Sequence, residues 1–397
     1  MVVFPLLPTP SGPPMNPELA SAIPGPSWLI ERRTAAAVRA TASAMPQVDE
    51  EIWRYSRIDE LNLDRYAYSP AASSISGAGE CLSEPLETDP VAPAPDVFAE
   101  WNTALSEPIV LRTVRGQVLE VPVVVEHSVS EGQITFPRLV IHAAADSEIT
   151  VVERFRSDAS GAALVAPVVE IHAGPAARVK YVAINELGTD VWLIGHQLAW
   201  ADRDSTVSLS SVALGGDYAR VRTEAVANGQ GSSTKQTALY FADGTQMHDF
   251  RTIQSHIAPR TQSNLLFKGA VKDTARSVYT GLIRIGHEAK GSSAFQTNRN
   301  LTLSAGAWAE SVPNLDIETN DVRCSHASTV GPIDVEQRFY LESRGVSPEI
   351  AERLIVLGFF DEVLEQLPLP ALAAQLRARV AAKLDGVPAV LAGSVGG

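Results

Sequence analysis

The sequence predicts a mainly β protein built around a β-solenoid, with helical segments before and after it, and three observations carry that prediction. First, turn residues recur at Asp146, Pro175, Asp204, Gly231, Arg260 and Gly291, separated by 29, 29, 27, 29 and 31 residues. Each is followed by a small or hydroxyl residue: Ser147, Ala176, Ser205, Ser232, Thr261 and Ser292. A second series, Gly161, Gly188, Gly216, Gly244, Asp273 and Gly306, runs between them at separations of 27, 28, 28, 29 and 33. Two corner series with one shared period describe a coil with two corners per turn, and a fixed period within about 20–50 residues is the mark of a solenoid. Second, short runs alternate in polarity, as in Val179-Lys180-Tyr181, Val207-Ser208-Leu209-Ser210 and Val278-Tyr279-Thr280-Gly281-Leu282, which is the pattern of half-buried strands. Third, no helix with 3.6-residue periodicity fits between about Pro108 and Asp321. A β-sandwich is the competing reading, since its turns also recur, but Asn228-Gly229 and Asp243-Gly244 are the only good hairpin-turn pairs in this zone.

The elements follow in order. Residues 1–107 form an N-terminal helical region and linker. Its start, Met1 to Pro17, is apolar but broken by Pro5, Pro8, Pro10, Pro13 and Pro14, and it lacks the basic flank of a signal peptide. A helix begins with Ser27 as N-cap, continues through alanine-rich turns to Ala44 and stops at Pro46. A short segment from Glu50 to Leu63 carries Trp53, Tyr55, Ile58 and Leu61, and Ser69 to Pro95 reads as a linker rich in Ser, Ala, Gly and Pro that contains Cys81. Residues 108–333 are the solenoid core. Residues 334–397 are a helical domain: Asp334 caps its first helix with Gln337 three residues on, and Gly345 stops it. Ser347-Pro348 starts a second helix whose stripe is Ile350, Leu354, Leu357, Val363 and Leu364, and a third runs from Pro370 to near Gly386.

Composition narrows the function. Lys and Arg total 32 against 46 Asp and Glu, a net charge of −14, which argues against nucleic acid or an anionic membrane surface as a partner. Only 6% of residues are aromatic, so the core falls to Val, Ile, Leu and Ala. Two cysteines give no disulfide framework, and no apolar run approaches the ~18 residues of a membrane span. A soluble, cytoplasmic protein is expected. Gly231-Ser232-Ser233-Thr234-Lys235 lacks the glycine a phosphate-binding loop requires before its lysine, so the chain carries no nucleotide site of that type. Ser232 and Lys235 match a serine–lysine spacing without companion motifs. His127, His142, His172 and His196 fall in strand runs and read as hydrogen-bonded structural residues.

One constellation has ligand chemistry. In an extended Asp321-Val322-Arg323-Cys324-Ser325-His326, Cys324 and His326 lie two apart and share a face, and a thiolate beside an imidazole suits iron or zinc. Two donors are too few for a closed site, so the remainder must come from elsewhere or from a partner; a buried thiol beside a structural histidine is the plainer alternative.

The run Pro313-Asn314-Leu315-Asp316-Ile317-Glu318, then Cys324-Ser325-His326, Thr329-Val330-Gly331 and Gln337-Arg338-Phe339-Tyr340-Leu341 through Ser343-Arg344-Gly345, closely resembles the SufB/SufD family of iron–sulfur cluster assembly proteins. Asn300-Leu301-Thr302-Leu303-Ser304 and Glu51-Ile52-Trp53-Arg54-Tyr55 fit as well. Asn298 and Arg299 stand where the SufB type carries a cysteine, so the resemblance is to the SufD branch, with Ala327 departing from its usual glycine. The resemblance implies a right-handed parallel β-helix and a non-catalytic scaffold subunit that pairs with SufB through the β-helix edge. It also implies the ABC-type ATPase SufC as a partner, docking on the C-terminal helices. Transient iron or an iron–sulfur cluster would be shared with SufB, with His326 and neighbouring Cys324 as the chain's contribution, and no cofactor would be held tightly by this chain alone. Whether a homodimer forms without SufB is left open by the sequence. Phe359, Phe360, Asp361 and Glu362 are the sequence's candidates for the ATPase contact; the alternative for the two phenylalanines is the core of the helical domain. A purely structural adaptor and, behind it, a polysaccharide-active β-helix are the competing functions; the latter needs clustered carboxylates that the sequence does not display.

Overall fold

The computed structural model describes residues 17–158 and 161–386, so the signal-peptide reading of the first residues lies almost wholly outside them. From Ile109–Arg112 to Val322–Gly331 the chain winds as a parallel β-solenoid. In its regular turns successive strands fall alternately in two sheets, as Ser233–Ala242, Met247–His256, Gln262–Val271 and Arg276–Ile285 do. Each strand pairs in parallel with the strand one turn away, for example Tyr218↔Met247↔Arg276↔Trp308.

The corners explain the period. Asp146, Asp204, Gly231, Arg260 and Gly291 all have positive φ, between 57° and 75°. The expected corner at Pro175 is displaced by one residue, to Ala176 at φ 57°. Proline's ring fixes φ near −65°, so the left-handed step must fall on the next residue. The hydroxyls that follow are buried, and some brace the corner: Ser292 Oγ accepts from Thr261 N–H at 3.0 Å and lies 2.8 Å from Thr261 Oγ1. In the second series Gly161, Gly216, Gly244 and Asp273 are left-handed. Gly306 is required differently, because a Cβ there would stand 2.8 Å from the Asp273 carbonyl oxygen.

The interior changes character along the axis. Its first turns are aliphatic, with Val123, Val151, Ile171, Val179 and Leu209 in one cluster, as the composition foretold. Its last turns are aromatic and polar: Tyr240 Oη donates to Asn300 Oδ1 at 2.6 Å and accepts from Asn298 Nδ2 at 3.0 Å, and all three side chains are buried. Gly269 makes room for that ring, since a Cβ there would lie 1.9 Å from Tyr240 Cε2.

The flanks differ from the sequence reading in particulars. The first long helix is Ser27–Ala42, with Pro26 at the N-cap position and no side-chain cap, so Ser27 is its first helical residue. The segment around Trp53 forms 3-10 turns, Glu51–Trp53 and Ile58–Glu60, and the Arg220 guanidinium lies 3.9 Å above the Trp53 ring. A helix at Val97–Leu105, capped by Asp96, escapes the sequence reading because it is short and follows the Pro-rich stretch, although Asp96 before an apolar run is the available signal; all but Glu100 and Thr103 of it is buried. The supposed linker is partly sheet: Ala72–Ser76 pairs antiparallel with Val123–Val129, and Leu82–Ser83 with Ile109–Arg112. These strands cover the edge each sheet would otherwise expose at its N-terminal end. Cys81 is buried beside them.

After the solenoid come helices Val335–Ser343, Pro348–Leu364 and Pro370–Leu384. Asp334 Oδ1 accepts from the Glu336 and Gln337 amides, and Gly345 at φ 87° follows the first helix. The other two pack on one solenoid sheet, joining Phe360, Val363, Leu376 and Val380 to Val182, Leu239 and Phe241. Only Leu357, Val363 and Leu364 of the expected stripe are buried; Ile350 and Leu354 face outward. No helix among the described residues is long and apolar enough to cross a membrane.

Candidate functional site

At its C-terminal end the solenoid stops without a cover. Trp308–Ile317 and Val322–Gly331 are the last strands of the two sheets, and each has a strand partner on one side only. The open edge is therefore longer than the Leu315 to Thr319 stretch suggested by sequence, and Glu318 and Thr319 lie beyond the strand. Leu315, Ile317 and Val330 are 43, 40 and 42% exposed along it, beside Trp308.

Both site residues lie on this final rung. Cys324 is in register with Ala294 and His326 with Gln296. Side-chain alternation turns Val322 and Cys324 toward the interior, against Ile283, Ile285, Ala289 and Ala294. His326, two residues on, has the same facing. Gln296, one rung below it, is 2% exposed, whereas His326 is open to solvent because no rung follows. The end of the coil is thus what exposes an otherwise inward imidazole. Among the described residues no group of three or more His, Cys, Asp or Glu could hold a metal ion, so Cys324 and His326 stand as two donors without a third.

Burial raises the Cys324 thiol above its ordinary pKa, and Cys81 is raised by the same cause. Neither is a thiolate at neutral pH until a metal or a partner's charge lowers it. Iodoacetamide at pH 8 should therefore modify the half-buried Cys324 more slowly than free cysteine, at a rate that climbs with pH. Cys81 should react only on unfolding; mass mapping of the alkylated peptides checks both.

The four residues named for ATPase contact are engaged within the chain. Phe360 is fully buried in the cluster that seats the C-terminal helices, a correction to its proposed surface role and the outcome of the core alternative. Phe359 is half-buried under Lys268, whose Nζ donates to the Phe359 carbonyl at 2.8 Å. Glu362 pairs with the same lysine at 2.5 Å, and Asp361 with Arg377 at 2.8 Å. The apolar residues free to meet a partner are Val335, Phe339 and Tyr340 with Ile350 and Leu354, beside a groove of about 530 Å³ that Tyr340, Leu341, Leu354 and Ile355 line. The Val335–Phe339 spacing of four was the available signal, but in so short a helix it did not reveal which face lacked a cover.

Of the strand histidines, His127 is hydrogen-bonded on both ring nitrogens, at 2.7 and 2.8 Å. His142, His172 and His196 each turn Nε2 toward a carboxylate, Asp89 at 3.5 Å, Glu170 at 3.8 Å and Glu224 at 3.4 Å, so they are structurally engaged as expected, through contacts longer or less aligned than hydrogen bonds. His142 and His172 also stack, ring centroids 4.9 Å apart, because identical positions on neighbouring parallel rungs fall in register.

A parallel β-solenoid with strands covering its N-terminal end and an uncovered C-terminal rung carrying Cys324 and His326 defines the class of protein. Comparison with known proteins gives that class its family: residues 125–359 match the SufBD core domain of the SUF system for FeS cluster assembly, and the chain belongs to the SufBD family. It is 31% identical over 371 residues to a SufBD family iron–sulfur cluster assembly protein of Mycobacterium bovis, covering 87% of this chain and 90% of that one. A Mycobacterium leprae relative is 35% identical over 64% of this chain and 65% of its own. The iron–sulfur cluster assembly protein SufD of Escherichia coli is 28% identical over 80% of this chain and 78% of its own.

Proposed function

We propose that the chain acts as the SufD-type half of an assembly scaffold, pairing its open end with that of a SufB-type solenoid and working with a SufC-type ATPase. His326, with Cys324 beside it, offers ligands to a nascent iron–sulfur cluster at the seam, the cluster being cargo completed by donors from the partner. The observation that carries this reading is the exposure of His326 on an unpaired terminal rung. Parallel strand edges with free backbone groups are ready to add another chain's strands, and adding them brings the partner's donors beside the imidazole. The similarity to SufD of E. coli supports the choice of branch. The exposed Val335, Phe339 and Tyr340 supply the apolar face on which we place the ATPase. A second copy of this chain is the substitute partner when the SufB-type chain is absent.

Leu315→Lys with Val330→Lys tests the pairing. Both lie on the unpaired terminal strands and are 43 and 42% exposed, so charge there should block the added strand while changing stability by only about 0.5 kcal/mol. Loss of co-purification with the SufB-type partner, with an unchanged melting curve, is the expected result. A variant that still co-purifies in full would place the interface elsewhere.

A further inference from the structure

We propose that Ser73 is a base-activated nucleophile for carboxylic esters, at the end of the sheet opposite His326. Ser73 lies on the strand Ala72–Ser76, which begins the nine-stranded sheet that Val322–Gly331 ends. Its Oγ is 2.7 Å from His127 Nδ1, and a contact of 3.5 Å to the Ala71 carbonyl is its weaker alternative. His127 Nε2 lies 2.8 Å from Glu153 Oε1, and the other oxygen of Glu153 accepts from the Tyr181 hydroxyl. Glu153 and Tyr181 are both fully buried, and His127 is nearly so. Ser73 is exposed.

These contacts assign roles. A carboxylate that only accepts takes the Nε2 proton, so Nδ1 is left bare and faces the serine hydroxyl as acceptor. Tyr181 holds the carboxylate, and the His127 ring lies against Phe155, centroids 5.3 Å apart and 21° from parallel, which fixes its plane. Nucleophile, base and orienting acid residue are therefore in hydrogen-bond sequence, with the first open to solvent and the last sealed from it. Ala72–Ser76 has a strand partner on one side only, so amide groups on its outer side are available to a developing oxyanion. In the reaction the Ser73 Oγ–carbon bond forms as its proton passes to His127. The ester C–O bond then breaks and the alkoxide leaves with that proton. Water, deprotonated by His127, releases the acid and restores the serine.

Ser74 and Ser76, on the same strand, provide internal controls. The full-length protein is treated with diisopropyl fluorophosphate, in which the Ser73 Oγ–phosphorus bond replaces P–F and fluoride and a proton depart, and the adduct is mapped by mass spectrometry. The expected result is one adduct, on Ser73, absent in Ser73→Ala, with labelling slowed about 100-fold in Glu153→Gln, the scale of general-base assistance. Release of nitrophenol from 4-nitrophenyl acetate should fall in parallel. Ser73 labelling no faster than Ser74 in the unmodified chain would overturn the proposal without recourse to any variant. It would leave the contacts as a clasp that holds the covering strand on Val123–Val129.

Discussion

His326→Ala should leave the fold untouched and lower cluster assembly by the reconstituted scaffold about 10–100-fold, the range seen when groups supporting a metal site are removed. The two halves of that expectation have separate origins. The side chain is exposed and has no rung above it, so its truncation removes little packing and should change stability by about 0.5 kcal/mol at most. Its ring, however, is the imidazole donor on the terminal strand, and burial raises the neighbouring Cys324 thiol above its ordinary pKa. Anaerobic reconstitution with the SufB-type and SufC-type partners, followed by absorption and Mössbauer spectra, measures the effect. Normal cluster yield from the variant complex would reduce the chain to a structural adaptor. Cys324→Ala is the companion variant: its modest inward contacts predict a smaller stability loss than a core truncation, and its effect on yield reports whether the thiol joins the cargo's ligands.

Phe360→Ala should cost about 3–5 kcal/mol, the range for emptying a buried phenylalanine site. Phe360 is 0% exposed, its ring centroid 6.5 Å from that of Phe241 on the solenoid, and it links the two long C-terminal helices to the sheet. The polar contacts around it strengthen the seat: buried Lys383 Nζ donates to the Leu214 carbonyl at 2.5 Å and to Gln246 Oε1 at 2.6 Å. Loosening the apolar cluster would expose both partners of this lysine together, so urea unfolding should show an early step for the helical domain. Phe339→Ala is the counterpart. At 70% exposure its loss should leave the urea curve in place and weaken ATPase capture in a pull-down. If Phe360→Ala weakened capture with stability intact, the helix would present that ring to the partner, and the seating of the domain described above would be wrong.

Several layers of this protein were written in its residues. The corner spacing was legible because most corners need one residue with a left-handed backbone, and Asp, Gly and an occasional long side chain at fixed intervals record it. The strands between corners were legible through alternation, the first C-terminal helix through Asp334, and the shared facing of Cys324 and His326 through their spacing of two. The sequence also excluded a phosphate-binding loop, since a missing glycine cannot be supplied from elsewhere in the chain.

Only the tertiary structure decided what each position meets. Proline at 175 moved a corner to Ala176, and Ala72–Ser76 became a strand because Val123–Val129, the first solenoid strand of its sheet, offered an unpaired edge. Phe360 and Phe339 look alike in sequence, yet one is sealed against Phe241 and the other faces solvent. Gln296 and His326 occupy equivalent positions one rung apart, and the presence or absence of a following rung alone makes one buried and the other available. Backbone conformation is set by residues within a few positions and so can be read along the chain. Burial depends on which distant segment lies opposite, and that is fixed only when the coil closes on itself and ends.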